Sequence, residues 1–114
     1  MRAGQLDRLI TFQRRKVVDG EYGPQETNEW EPVFIPRIPA QVWDMLPSNS
    51  ESVQDGLRVA ARPARVRLRY LRGITPDMRV VVHNEVDEVY QISGGPAEIG
   101  RREWTELTIT GYST

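Results

Sequence analysis

At 114 residues, 39% of them hydrophobic and 27% charged, the chain reads as a single soluble globular domain spanning 1–114. Such a chain buries roughly two-thirds of its unfolded surface, enough for one modest core. It has no cysteine, which excludes disulfides, thiolate metal sites and cysteine nucleophiles. No apolar run approaches the roughly 20 residues that span a bilayer. The net charge of −1 argues against a generic nucleic-acid binder. It also averages over two opposed blocks. Arg58 to Arg79 holds seven arginines and one acid (+6), and Val17 to Glu31 holds five acids and no base (−5). Separated blocks of opposite sign suit steering, or a head-to-tail contact between copies of one subunit.

Period-two alternation dominates the chain, and helical periodicity is scarce. The opening MRAGQLDRLITFQRR carries no apolar core before a small-residue cleavage site, so a secretory signal is not expected and synthesis in the cytoplasm is. Leu6 to Gln13 reads as a first strand, with Ile10 and Phe12 on one face and Leu9 and Thr11 on the other. Asp19-Gly20-Glu21-Tyr22-Gly23-Pro24 is turn chemistry. Pro32, Pro36 and Pro39 keep the next piece extended as an edge, because proline cannot serve a central ladder. Ala40 to Met45 is a second strand. Leu46 to Ala61 breaks the alternation and reads as a loop or a short helix between two central strands, capped by Ser48 or Ser50 and ended by Gly56.

Arg65 to Leu71 is the clearest strand. Arg79–His83 and Val86–Ile92 form a hairpin around Asn84-Glu85, Ser93-Gly94-Gly95-Pro96 turns the chain, and Trp104 to Thr110 closes it. Six or so short strands with little helix predict an all-β fold, a small antiparallel barrel or sandwich. Closure would hide the edges that a flat sheet exposes.

Few residues invite catalytic chemistry. The lone histidine, His83, could cluster with Asp87 and Glu88, but their spacing matches no established metal-ligand pattern. The acids Asp19, Glu21, Glu26, Glu29 and Glu31 read as a charged loop. Gly94-Gly95-Pro96 is no phosphate cradle, since proline removes an amide donor and no helix follows. No catalytic residue, metal or cofactor is assigned. Trp30, Trp43 and Trp104 read as core or interface residues.

The stretch RVRLRYLRG carries more. Alternate strand residues point the same way, so Arg65, Arg67 and Arg69 form a row about 7 Å apart, with Arg72 beyond it. Val66, Leu68 and Tyr70 then face the core. The row could be a wet outer face, a contact for a neighbour's carboxylates, or a surface for phosphate. Sequence-specific DNA reading is not expected, because no element suits a major groove.

Several pieces together resemble the small head-completion proteins of tailed bacteriophages, also called head–tail joining, adaptor or stopper proteins. Gly4-x-Leu6 followed by Arg8-Leu9-Ile10-Thr11-Phe12-Gln13-Arg14 is similar to that family's opening strand. Tyr22-Gly23 with Trp30 resembles its glycine turn and following tryptophan, and Ala40-Gln41-Val42 its next strand. Val66-Arg67-Leu68-Arg69-Tyr70-Leu71-Arg72-Gly73-Ile74-Thr75-Pro76-Asp77-Met78-Arg79-Val80 resembles its most distinctive segment, and Val89-Tyr90-Gln91-Ile92 its penultimate strand. The chain departs from the family at Pro39, where an aromatic is usual, and in the long Gly94–Arg102 connection.

The resemblance implies a non-enzymatic virion protein at the head–tail interface, made in the host bacterial cytoplasm. It implies a ring, typically dodecameric, between a portal or adaptor protein above and a tail terminator or tail tube protein below. Packaged double-stranded DNA would pass through without sequence-specific binding. An isolated subunit would be monomeric if the portal templates the ring. In relatives that act as stoppers a loop projects into the channel. The corresponding span here is Ser48, Asn49, Ser50, Glu51, Ser52, Val53, Gln54, Asp55 and Gly56. A ring needs one patch to meet a different patch on the next copy, and Arg65, Arg67, Arg69 and Arg72 against the Asp19–Glu31 acids would supply it. The arginine row alone supports a second reading, a small single-strand nucleic-acid-binding barrel.

Overall fold

The computed structural model describes residues 6–45, 51–54 and 57–113. Seven strands follow one another: β1 (Arg8–Gly20), β2 (Gly23–Asp44), β3 (Glu51–Gln54), β4 (Leu57–Arg69), β5 (Arg79–His83), β6 (Asp87–Ile99) and β7 (Trp104–Ser113), with no helix among the described residues. All pair antiparallel in the order β2-β1-β5-β6-β7-β4-β3. An additional β2–β4 pairing, Ala40↔Leu68 through Asp44↔Ala64, closes six of them into a ring. The result is the expected all-β, barrel-like architecture, with β3 added outside the ring against β4.

The core follows from the alternation. Ile10 and Phe12 of β1, Ala64, Val66 and Leu68 of β4, Val80 and Val82 of β5, and Leu107 and Ile109 of β7 all point inward and are buried. Burying such side chains contributes roughly 1.5–3 kcal/mol each, and a ring of them makes closure favourable. Tyr70 departs from the expected inner row. Strand β4 stops at Arg69, and Tyr70 stays half-exposed with its hydroxyl donating to Glu98 Oε1 at 3.3 Å.

Two strands outrun the ring. β5 pairs with β1 from Leu9↔His83 only as far as Gln13↔Arg79, whereas β1 and β2 stay paired out to Gly20↔Gly23. Arg14–Gly20 and Gly23–Glu31 therefore form a projecting two-stranded ribbon. Pro24, Pro32 and Pro39 pair with β1 and not with β4, and Pro36 falls in the irregular stretch between Val33 and Ile38, edge positions that tolerate their missing donors. Between Ile10↔Ile38 and Phe12↔Val33 the register shifts, and Phe34 (φ 62°) and Arg37 (φ 60°) adopt the left-handed region. The kink turns Phe34 edge-on to Phe12, with centroids 5.9 Å apart.

Two further expectations need correction. The interruption expected as a loop or short helix contains a strand: Glu51–Gln54 pairs with Leu57–Ala60. Ser48, Asn49, Ser50, Asp55 and Gly56 lie outside the described residues. The open edge of β4 below Ala64, where β2 has ended, accounts for the strand, since it leaves a ladder to complete. Ser93–Pro96, expected as a turn, lies within β6, which bulges there and continues to Ile99; the chain turns at Gly100–Glu103 instead. Gly95 sits at φ +81°, and a Cβ on it would lie 2.9 Å from the Glu106 carbonyl oxygen. Glycine thus allows the bulged backbone to press against β7.

Candidate interaction surface

Strand β4 lies between β2 and β7, and its outward residues are Arg65, Arg67 and Arg69. The row expected from alternation exists. Its neighbours decide its character. Across β7, Arg67 faces Glu106 and Arg69 faces Trp104; across β2, Arg65 faces Trp43 and Arg67 faces Gln41. Arg67 Nε donates to Glu106 Oε2 at 2.9 Å, and Arg65 Nε approaches Glu106 Oε1 at 3.3 Å. One carboxylate therefore bridges two of the three guanidinium groups and offsets much of their repulsion. Arg72 stands apart, exposed on the β4–β5 connection beside Tyr70, Gly73, Glu98 and Arg102 around a cleft of about 260 Å³.

The tryptophans are not core residues. Trp43 is exposed, Trp30 and Trp104 are half-buried, and all lie on the outer face. Each carries a guanidinium over its ring: Arg67 over Trp43 at 5.9 Å, Arg69 over Trp104 at 5.8 Å, and Arg15 and Arg79 over Trp30 at 5.3 and 4.2 Å. Cation–π attraction holds such pairs, and Arg79 is further fixed by donating to Gln13 Oε1 at 2.7 Å. Burial, then repulsion from Arg15, lowers the pKa of Arg79 from the ordinary arginine value. The wall is an interleaved arginine–tryptophan belt. Sequence reasoning missed Glu106 and the outward tryptophans. Alternation in Trp104-x-Glu106-x-Thr108 puts them on one face, but only strand register sets that face beside the arginines.

The acidic block forms the projecting ribbon instead of a loop. Arg14 Nε contacts Glu31 at 3.2 Å and Lys16 Nζ contacts Glu29 at 3.9 Å. The near half is thus partly neutralised by the facing strand. Asp19, Glu21 and Glu26 lie toward the tip and make no ion pair among the described residues. Exposed Val17, Val18 and Tyr22 accompany them.

His83, Asp87 and Glu88 do not converge. His83 Nδ1 lies 3.0 Å from Asp87 Oδ1 and its Nε2 lies 2.7 Å from Thr11 Oγ1, so both ring nitrogens have partners. The Thr11 oxygen also accepts from the Arg37 amide at 3.1 Å. Glu88 turns the other way and accepts from the Tyr90 hydroxyl at 2.7 Å, with Arg62 at 3.9 Å. The arrangement ties β1, β5 and the β2 kink together, which is structural work.

A protein-family model described as phage head completion protein matches residues 1–111. No curated protein and no solved structure matches the chain.

Proposed function

Because the chain belongs to the phage head completion protein family, we propose that copies of it stand in a ring at the head–tail interface, around the path of the DNA. Membership itself carries a structural role in the virion and contacts with other head and tail proteins. The ring, the conduit and the docking of the tail are the finer reading.

The observation that supports it is the outer belt. Tryptophan and arginine dominate the energetic centres of protein interfaces, and here Trp43, Trp104, Arg65, Arg67 and Arg69 share one outward wall. A closed ring needs a second, different patch. The ribbon tip with Asp19, Glu21 and Glu26 is of opposite sign and projects beyond the closed sheet, so the tip of one copy meets the belt of the next. Glu29 and Glu31 contribute less, being engaged by Lys16 and Arg14. The β3–β4 ribbon extends from the opposite end of β2, and we assign it to the channel side. The portal or adaptor and the tail proteins then meet the two ends of the ring.

The alternative of a single-strand nucleic-acid-binding barrel draws on the same arginines. Base stacking wants open aromatic faces, and each tryptophan here has a guanidinium over it. Contact between subunits is the better use of such a wall.

The test is assembly with the Arg67→Glu/Arg69→Glu variant. Expected are DNA-filled or leaking heads without tails, with the variant absent from particles although it folds. Normally tailed, infectious particles containing the variant would defeat the proposal.

A further inference from the structure

The edge of β1 along the projecting ribbon is open. Beyond Gln13 this strand keeps β2 on one side and has no β5 partner on the other. Alternate residues of Arg14–Gly20 therefore turn backbone N–H and C=O groups away from β2, a template for a further strand. The other edge of the ribbon is guarded. Pro24 and Pro32 interrupt its donors, and Phe34 and Arg37 kink the strand just beyond. No proline guards β1 between Arg14 and Gly20.

The sequence of that open edge is complementary to its own reverse. Arg14-Arg15-Lys16 is basic, Val17-Val18 is apolar, and Asp19 is acidic. Val17 and Val18 are 54% and 41% exposed. Set antiparallel about Val17, Arg15 of one copy faces Asp19 of the partner subunit and the partner's Arg15 faces Asp19. Val17 faces its own counterpart at the centre. A parallel pairing in register would place bases against bases, so charge selects the antiparallel arrangement.

We propose that two copies of this chain join through the open β1 edges of their ribbons, antiparallel about a two-fold axis at Val17, in one continuous four-stranded sheet. The contact is isologous, the same patch on both subunits. It uses none of Arg65, Arg67, Arg69, Trp43 or Trp104, and Asp19 is the one residue it shares with the proposed ring contact. At raised concentration the isolated protein is then a dimer, not the monomer that templated assembly by itself implies. Pairing also engages Asp19, which keeps one ribbon residue from a neighbour's belt.

Sedimentation velocity on the full chain over a wide concentration range tests this. The expected result is a reversible dimer, weakened about tenfold or more by Arg15→Asp or by Asp19→Arg. Affinity returns in the Arg15→Asp/Asp19→Arg double variant and is unchanged by Arg67→Glu. Amide exchange on the unaltered protein gives a readout that needs no variant: Arg14–Gly20 gains protection as the dimer forms. A protein monomeric at every concentration, a double variant no better than the single ones, or a dimer without that protection would overturn the proposal.

Discussion

Arg67 and Glu106 face each other directly across β4 and β7, and Glu106 takes Arg65 as well as Arg67. A row of three like charges becomes an acceptable surface because one half-buried carboxylate stands among them. Replacing Glu106→Gln removes that charge and leaves the guanidinium groups to repel. The expected loss is about 1–3 kcal/mol of unfolding free energy. Chemical denaturation checks it, and added salt recovers part of the loss by screening.

Tyr90 should make stability fall at alkaline pH. Burial first, then the hydrogen bond to Glu88, pushes its pKa up from 10.0 to about 12. A hydroxyl that keeps its proton longer when folded stabilises the fold fully below pH 10.0, and that contribution disappears as pH rises through about 12. Tyr90→Phe should flatten the stability profile across this window. Spectrophotometric titration should show the Tyr90 phenol ionising at about pH 12, and that signal should be missing from Tyr90→Phe.

The β6 bulge depends on Gly95. At φ +81° with the Glu106 carbonyl 2.9 Å from the position of a Cβ, Gly95→Ala forces β6 away from β7. A cost of about 1–3 kcal/mol is expected by thermal or chemical unfolding. Gly23→Ala, with open space around it, should cost only its backbone strain and less overall.

Thr11 holds two partners on different elements, His83 and the Arg37 amide. Thr11→Val keeps the shape and strands both, so a loss of about 1–3 kcal/mol is expected. Amide exchange at Arg37 should accelerate in the variant.

Much of this molecule was legible in the sequence, and the limits have physical causes. Alternation separated the two faces of β1 and identified the inner face of β4 at Val66 and Leu68, since period two decides which side is buried. The prolines identified the edge portion of β2. Ser93–Pro96 misled because Gly-Gly-Pro serves a bulge as readily as a turn, and the choice rests on contact with a distant strand, β7. The outward arginines could be read from one strand, but their partners could not. Arg67 meets Glu106 only through a register between residues 39 apart in sequence, and the tryptophans take the outer face where guanidinium groups cover them.

The central claim is that the arginine–tryptophan wall of one copy is buried by the next copy in a ring at the head–tail junction. Electron cryomicroscopy of intact tailed particles tests it most directly. The account predicts density for this chain around the axis at the junction, with Trp43, Arg67 and Trp104 covered by the acidic ribbon tip of a neighbour. Density for the chain elsewhere in the particle, or a ring in which that wall faces solvent, would contradict it.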